Sequence, residues 1–278
     1  MVGRQTFSSL FALIHPGPSG ATVLVAAGFA CLFAGGIPPL DRVGWLVAMM
    51  TCQQVAISLH NDWSDRELDA VAKPWRAIPS GAAQPGVVQA AAWGLAALSI
   101  LAALPLGPGL VALDAIAVAA GFTYNAWLKR TGWSWAPFAF AFPLLPLFGA
   151  AALGRWPALW WTLYVVGAPA VIAIHLADTL PDLGSDAAAG VFGLAHQLGR
   201  RRARQACLGA LVVAALLGAG LGLALADAWP VAGAALGLGL AAVAAVWPGT
   251  QRIAVTAGAA AVALGWVAAV ARLSRLNG

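Results

Sequence analysis

The stretch Val43-Gly44-Trp45-Leu46-Val47-Ala48-Met49-Met50-Thr51-Cys52-Gln53-Gln54-Val55-Ala56-Ile57-Ser58-Leu59-His60-Asn61 carries no formal charge. It then runs straight into Asp62-Trp63-Ser64-Asp65-Arg66-Glu67-Leu68-Asp69. As a helix rising about 1.5 Å per residue, the uncharged part matches a bilayer hydrocarbon core of roughly 30 Å. Runs of similar length recur at about 19–37, 86–104, 109–127, 133–152, 157–177, 205–225, 229–247 and 252–272. The composition agrees: 61% of the 278 residues are hydrophobic and 9% are charged, against roughly 25% charged in a soluble domain. The expected fold class is an all-α integral membrane bundle of nine transmembrane helices, multi-pass, with residues 1–278 forming one membrane domain.

Breaks between the runs are marked by Pro and Gly, as in Ile37-Pro38-Pro39 and Pro105-Leu106-Gly107-Pro108-Gly109. The later spans are rich in Ala and Gly, which favours close approach of helices in lipid. Cys31, Cys52 and Cys207 form no CxxC pair, and the expectation for each is a small buried hydrophobe. The first run has no small-residue cleavage site beside it and reads as a retained span. The net charge of +5 does not argue for nucleic acid, because the basic residues are scattered among short loops. With nine spans and a cytoplasmic N-terminus, Arg4, Arg66, Lys73, Arg76, Lys129, Arg130, Arg200, Arg201, Arg202, Arg204 and Arg252 fall inside, and Arg42, Arg155, Arg272 and Arg275 outside. That split follows the positive-inside bias, so the N-terminus and the two long connections, about 62–85 and 178–204, are expected on the cytoplasmic side.

Of ten acidic residues, Asp62, Asp65, Glu67 and Asp69 follow the second span, and Asp178, Asp182 and Asp186 follow the sixth. Each group sits at the end of a helix whose dipole repels carboxylates unless a cation offsets them. Asn61, Asp65 and Asp69 have i, i+4, i+8 spacing and share a face if the helix continues that far. Pro181 and Gly184 argue against a continuous helix at the second group. Oxygen donors without His or Cys suit Mg²⁺, which binds through one or two carboxylates together with substrate phosphates. Two such clusters facing one cavity form a clamp for a diphosphate. The alternative is that all of these acids are solvated loop residues.

The order of motifs is more specific than the acids alone. Asn61-Asp62-Trp63-Ser64-Asp65-Arg66-Glu67-Leu68-Asp69 resembles the N-D-x-x-D-x-x-x-D motif of the UbiA superfamily of intramembrane prenyltransferases. Lys73-Pro74-Trp75-Arg76-Ala77-Ile78-Pro79-Ser80-Gly81 resembles the K/R-P-x-R-P-I-P-S-G run that follows it. Tyr124 to Lys129 resembles Y-x-x-x-L-K, and Asp182-Leu183-Gly184-Ser185-Asp186 resembles D-x-x-x-D. The resemblance extends from about residue 15 to 204 and implies nine helices around a central cavity with both Asp motifs at its cytoplasmic mouth.

It also implies two Mg²⁺ ions, a polyprenyl (isoprenyl) diphosphate donor, an aromatic or other lipophilic acceptor, and membrane lipid around the bundle. By position, Asn61 and Asp65, supported by Asp69 and with Asp62 beside them, are expected at one metal, and Asp182 and Asp186 at the other. Arg66, Lys73, Arg76, Lys129 and Arg130 are candidates to hold diphosphate oxygens, since ammonium groups and guanidinium forks both suit phosphate. Each also reads as an anchor of an inside loop. Tyr124 is placed to face an allylic cation, or is an interfacial aromatic. The sequence departs from the family pattern at Ala77, where Pro is common, and at Gly184-Ser185, which replaces E-G; Asp178 stands one position before the usual acid.

His60 and His175 flank the acidic motifs and are read as acceptor or proton contacts, or as packing; His15 and His196 are unassigned. Asp114 is placed near the outer end of the fourth span, as a functional intramembrane acid or one reaching the outer interface. The implied chemistry is electrophilic alkylation, in which an apolar cavity protects a carbocation until an acceptor attacks. Two rivals remain. A membrane terpene cyclase would use the same motifs. A transporter would bind its substrate near the midplane between repeated halves, which this chain lacks.

Overall fold

The computed structural model describes residues 10–184 and 192–276. The described elements are all helical: α1 (Pro16–Ala34), α2 (Leu40–Ser64), α3 (Arg66–Ala72), α4 (Pro85–Ala103), α5 (Pro108–Ala126), α6 (Ala136–Ala152), α7 (Thr162–Thr179), α8 (Leu194–Ala224), α9 (Ala228–Val246) and α10 (Gln251–Leu276). Among them, eight are long and apolar enough to cross a membrane; α3 is a single short helix, and α6 falls short of that length.

The expected fifth span at 133–152 is α6, which is not one regular helix. It comprises Ala136–Ala141, a 3₁₀ turn Phe142–Leu144 and Leu145–Ala152. Pro143 and Pro146 lack the N–H groups that a continuous ladder needs, which accounts for the break. Two other boundaries differ from expectation. The helix expected from 157 starts at Thr162, after turns through Trp160 and Trp161. The connection expected to last until 204 is helical from Leu194, because Gln and Arg are good helix formers at a solvated helix end. Gly199, at φ +71°, kinks α8 there. The described part of that connection therefore carries Arg200, Arg201, Arg202 and Arg204 on helix α8.

The helices fall into two contacting groups. Helix α2 packs against α1, α4 and α5, while α7 and α9 each pack on α8 and α10, and α6 lies between. Small residues let α9 and α10 touch backbone to backbone. A Cβ added at Gly233 would lie 2.5 Å from the Ala261 carbonyl oxygen, and one at Gly265 would lie 2.6 Å from that of Trp229. Cys207 is buried as expected, but Cys31 is exposed and Cys52 half-buried; in an apolar span an outward-facing thiol meets lipid, so it needs no burial.

Candidate active site

The helical path of α2 barely ends. The Asp65 N–H donates to the Asn61 carbonyl at 3.0 Å and the Asp69 N–H to the Asp65 carbonyl at 2.8 Å, so Asn61, Asp65 and Asp69 stand on successive turns. The Lys73–Gly81 segment is folded back beside them. Ala77 and Ile78 are buried against Leu59, Val88 and Phe122, the Ser80 N–H donates to the Arg76 carbonyl, and Gly81 adopts the left-handed φ of +77° that the turn requires. This packing points Arg76 at the acids. The Ala77 that departs from the family pattern is 2% exposed, so it sits in a packed place with little room.

Charges of opposite sign meet here. Lys129 Nζ lies 2.7 Å from Asp65 Oδ1 and donates to Asn61 Oδ1 at 3.2 Å. Arg130 donates to Asp65 at 3.2 Å. Arg76 donates to Asp62 at 2.6 Å and its Nε stands 3.8 Å from Asp69, while Lys73 lies 3.7 Å from Asp69. Asp62 is further held by His15 Nε2 at 3.0 Å. One residue on from Asn61, Asp62 is rotated roughly 100° about the helix axis, and its partners Arg76 and His15 differ from those of Asp65.

Burial pushes the Asp69 carboxyl above its ordinary value; Arg76 and Lys73 oppose this without cancelling it, and Asp65 and Asp62 add to it. Burial likewise pushes the Lys129 ammonium down, against the pull of Asp65. The oxygen-only donors Asn61, Asp65 and Asp69 suit a hard divalent cation such as Mg²⁺; here the carboxylates are paired with lysines and arginines, and among the described residues no three His, Cys, Asp or Glu converge as a metal site.

Below these groups lies a cavity of about 360 Å³. His15, Asn61 and Tyr124 line it together with apolar residues of α5 and α6, among them Phe138, Phe142 and Phe148. The Tyr124 ring meets Phe138 edge-on at 4.8 Å. The other candidates are distributed unevenly. Arg66 stacks over Trp63 at 4.8 Å and donates to Glu67 and to the Trp63 carbonyl, turned away from Asp62, Asp65 and Asp69. Asp178 pairs with Arg252 at 2.9 Å. Asp182 follows the end of α7, its N–H donating to the Thr179 carbonyl, and Asp186 lies outside the described residues.

His60 stacks on Phe122 at 4.0 Å with Trp93 at its edge, which is packing, and His175 accepts or donates a hydrogen bond with Ser134 at 3.1 Å beside Phe138. His15 is one of two histidines, with His196, to which the sequence assigns no role. Its contact with Asp62 spans 47 positions, which no local pattern announces.

A family model described as the UbiA prenyltransferase family matches residues 21–254. The digeranylgeranylglyceryl phosphate synthase of Natronomonas pharaonis is 29% identical over 212 residues, covering 74% of this chain and 75% of the relative. The bacteriochlorophyll synthase 33 kDa chain of Rhodobacter capsulatus is 35% identical over 135 residues, covering 41% and 42%. Among solved structures, one described as giving structural and mechanistic insights into digeranylgeranylglyceryl phosphate synthase in membranes superposes with a TM-score of 0.78 over 96% of this chain and 99% of that one. A UbiA homolog from Archaeoglobus fulgidus bound to GPP and Mg²⁺ gives 0.71 over the same shares. Both structures are 15% identical to this chain and speak for the fold alone. The chain belongs to the UbiA prenyltransferase family, whose members transfer isoprenyl groups from prenyl diphosphates to lipophilic acceptors.

Proposed function

We propose that this prenyltransferase works with Mg²⁺ at the mouth of the α1, α2, α5 and α6 cavity, and that α6 completes nine crossings of a single membrane domain whose N-terminus and acidic motifs face the cytoplasm. The supporting observation is one arrangement: carboxylates and cations interleaved at the mouth of an apolar cavity. Asn61, Asp65 and Asp69 would hold one metal ion, and Asp182 and Asp186 take part in a second site by their place in the motif. The metal supplies Lewis-acid stabilisation of charge growing on the diphosphate.

The protein's own groups do the rest. Lys129, Arg130, Arg76 and Lys73 carry donors that hold diphosphate oxygens and balance the electron pair that the leaving group takes when the allylic C–O bond breaks. The apolar wall from Phe138 to Phe148 keeps water from the allylic cation, and the rings of Tyr124 and Phe138, which line the cavity, supply π surfaces that favour a cation. The acceptor then gives its electron pair to the allylic carbon and loses a proton. Arg66, paired with Glu67 over Trp63, serves the loop and not the phosphate.

Acceptor dependence tests the reaction class. Purified protein given radiolabelled geranyl diphosphate and Mg²⁺ should show only slow hydrolysis until a glyceryl phosphate ether lipid or a tetrapyrrole acid is added. Those probes are suggested by the names of the relatives. Rapid acceptor-free formation of a cyclic terpene would reassign the chain to cyclisation.

Sidedness has its own test. In a background without Cys31, Cys52 and Cys207, Ser80→Cys and Arg201→Cys should react with an impermeant thiol reagent from the cytoplasmic face only. Gly36→Cys should react from the other face. Labelling of Ser80→Cys and Arg201→Cys from opposite faces would separate the two acidic motifs and remove the shared mouth.

A further inference from the structure

Asp114 does not reach the outer interface. It is fully buried and touches no water-facing surface. Gln53 Nε2 donates to its Oδ1 at 2.6 Å and Ser99 Oγ donates to its Oδ2 at 2.7 Å. In this arrangement the Gln53 amide presents its nitrogen to Asp114 and turns its carbonyl away. That carbonyl accepts from Gln54 Nε2 at 3.0 Å. The chain of donors thus runs one way, from Gln54 through Gln53 to Asp114, and its open end is the Gln54 carbonyl oxygen.

Gln53 and Gln54 both line the cavity below Asn61. Interhelical polar contacts act as glue between membrane helices, which accounts for Asp114, Ser99 and Gln53 joining α5, α4 and α2. Glue does not account for the extra step to Gln54 on the cavity wall. Gln54, Ser58 and Asn61 share one face of α2 at i, i+4, i+7. Ser58 Oγ meets Ser19 Oγ of α1 at 3.2 Å, so this wall offers hydrogen-bonding groups along its length. Of the other lining residues, Ala117, Ala120, Phe142, Leu145 and Phe148 carry no hydrogen-bonding side-chain group, while Tyr124 and Asn125 of α5 do.

We infer that Gln54, held in one orientation by Asp114 through Gln53, is the point at which the cavity recognises an O–H or N–H group of the acceptor. The isoprenyl chain lies against the apolar lining of Phe142, Leu145 and Phe148. Seven residues of helix separate Gln54 from Asn61, which is about 10 Å. The acceptor is therefore a molecule with a hydrogen-bond donor set that far from its reacting end. This assignment rests on the prenyl-transfer reading of the same cavity; Asp114 acts through Gln53 and is a positioning residue.

The test uses the purified full chain and two matched probes, 4-hexylphenol and 4-hexylanisole, with binding followed by tryptophan fluorescence. The native protein should bind the phenol about fivefold more tightly than the anisole, the size of one neutral hydrogen bond. In Gln54→Leu, or Gln54→Met if the first variant is not monodisperse, the preference should vanish. Asp114→Asn should narrow it, because an amide at 114 can offer its own N–H and let the chain reverse. A merely structural role would lower the melting temperature of all these variants and leave the phenol-to-anisole ratio unchanged, and that ratio persisting in folded Gln54→Leu overturns the inference. Geranyl diphosphate binding is measured in parallel on the native protein. Its absence would remove the prenyl-transfer reading and leave hydroxyl recognition standing, whereas its presence without a phenol preference would remove only the recognition point.

Discussion

Replacing Asp65 with Asn is expected to slow prenyl transfer by about 10²- to 10³-fold, the cost of deleting one preorganised electrostatic group from an active site. Asp65 is the carboxylate on which two cations converge, Lys129 at 2.7 Å and Arg130 at 3.2 Å. Asn preserves its size and its place one turn beyond Asn61, so the loss is of charge and not of shape. Single turnovers at saturating Mg²⁺ and geranyl diphosphate measure the effect, with elution and melting of the detergent-extracted protein as the control for folding. The sequence motif places Asp186 in the same position in the second cluster, and Asp186→Asn should behave alike. Turnover near the native rate in either variant would take that residue out of the site.

Lys129→Met is expected to produce the second large effect, about 10²-fold in turnover, with a stability signature of its own. Lys129 is buried and shared between Asn61 and Asp65. Removing one partner of a largely buried ion pair leaves the other as an uncompensated charge, here Asp65 with Arg130 alone. A divalent cation supplies what is missing, so Mg²⁺ should raise the melting temperature of Lys129→Met by more than it raises that of the native protein. Equal Mg²⁺ shifts in the two proteins would show that Lys129 and the metal ion do not compete for the same carboxylate.

Much of this arrangement is legible in the sequence because it is written at helical spacing. Asn61, Asp65 and Asp69 recur every four residues, and the structure keeps them on successive turns through backbone bonds that cross the end of α2. Asp62 shows the limit of reading by cluster. It is adjacent in sequence to Asn61, yet its position on the helix gives it to Arg76 and His15. His15 itself had no signal, since a contact across 47 residues depends on how α1 enters the bundle. Asp114 reads either as a functional intramembrane acid or as one reaching the outer interface, while Gln53 and Ser99, which hold it, come from other helices and leave no local pattern. The break in α6 could be anticipated from Pro143 and Pro146, but not the position of α6 between two groups of helices.

That position divides the molecule mechanically. Where α9 meets α10, Gly233 and Gly265 lie so close to neighbouring carbonyls that there is no space for sliding. The wall formed by α6 is the opposite: its backbone ladder is interrupted at Phe142–Leu144, and Phe142 and Leu145 stand between the main cavity and a second apolar cavity of about 240 Å³ bordered by α1, α7 and α10. Thermal breathing concentrates where backbone bonds are missing and side chains border empty volume. The fold thus joins a closely packed frame to a partition with a broken ladder and empty volume on both sides, set apart from the carboxylates at the junction of α2 and α3.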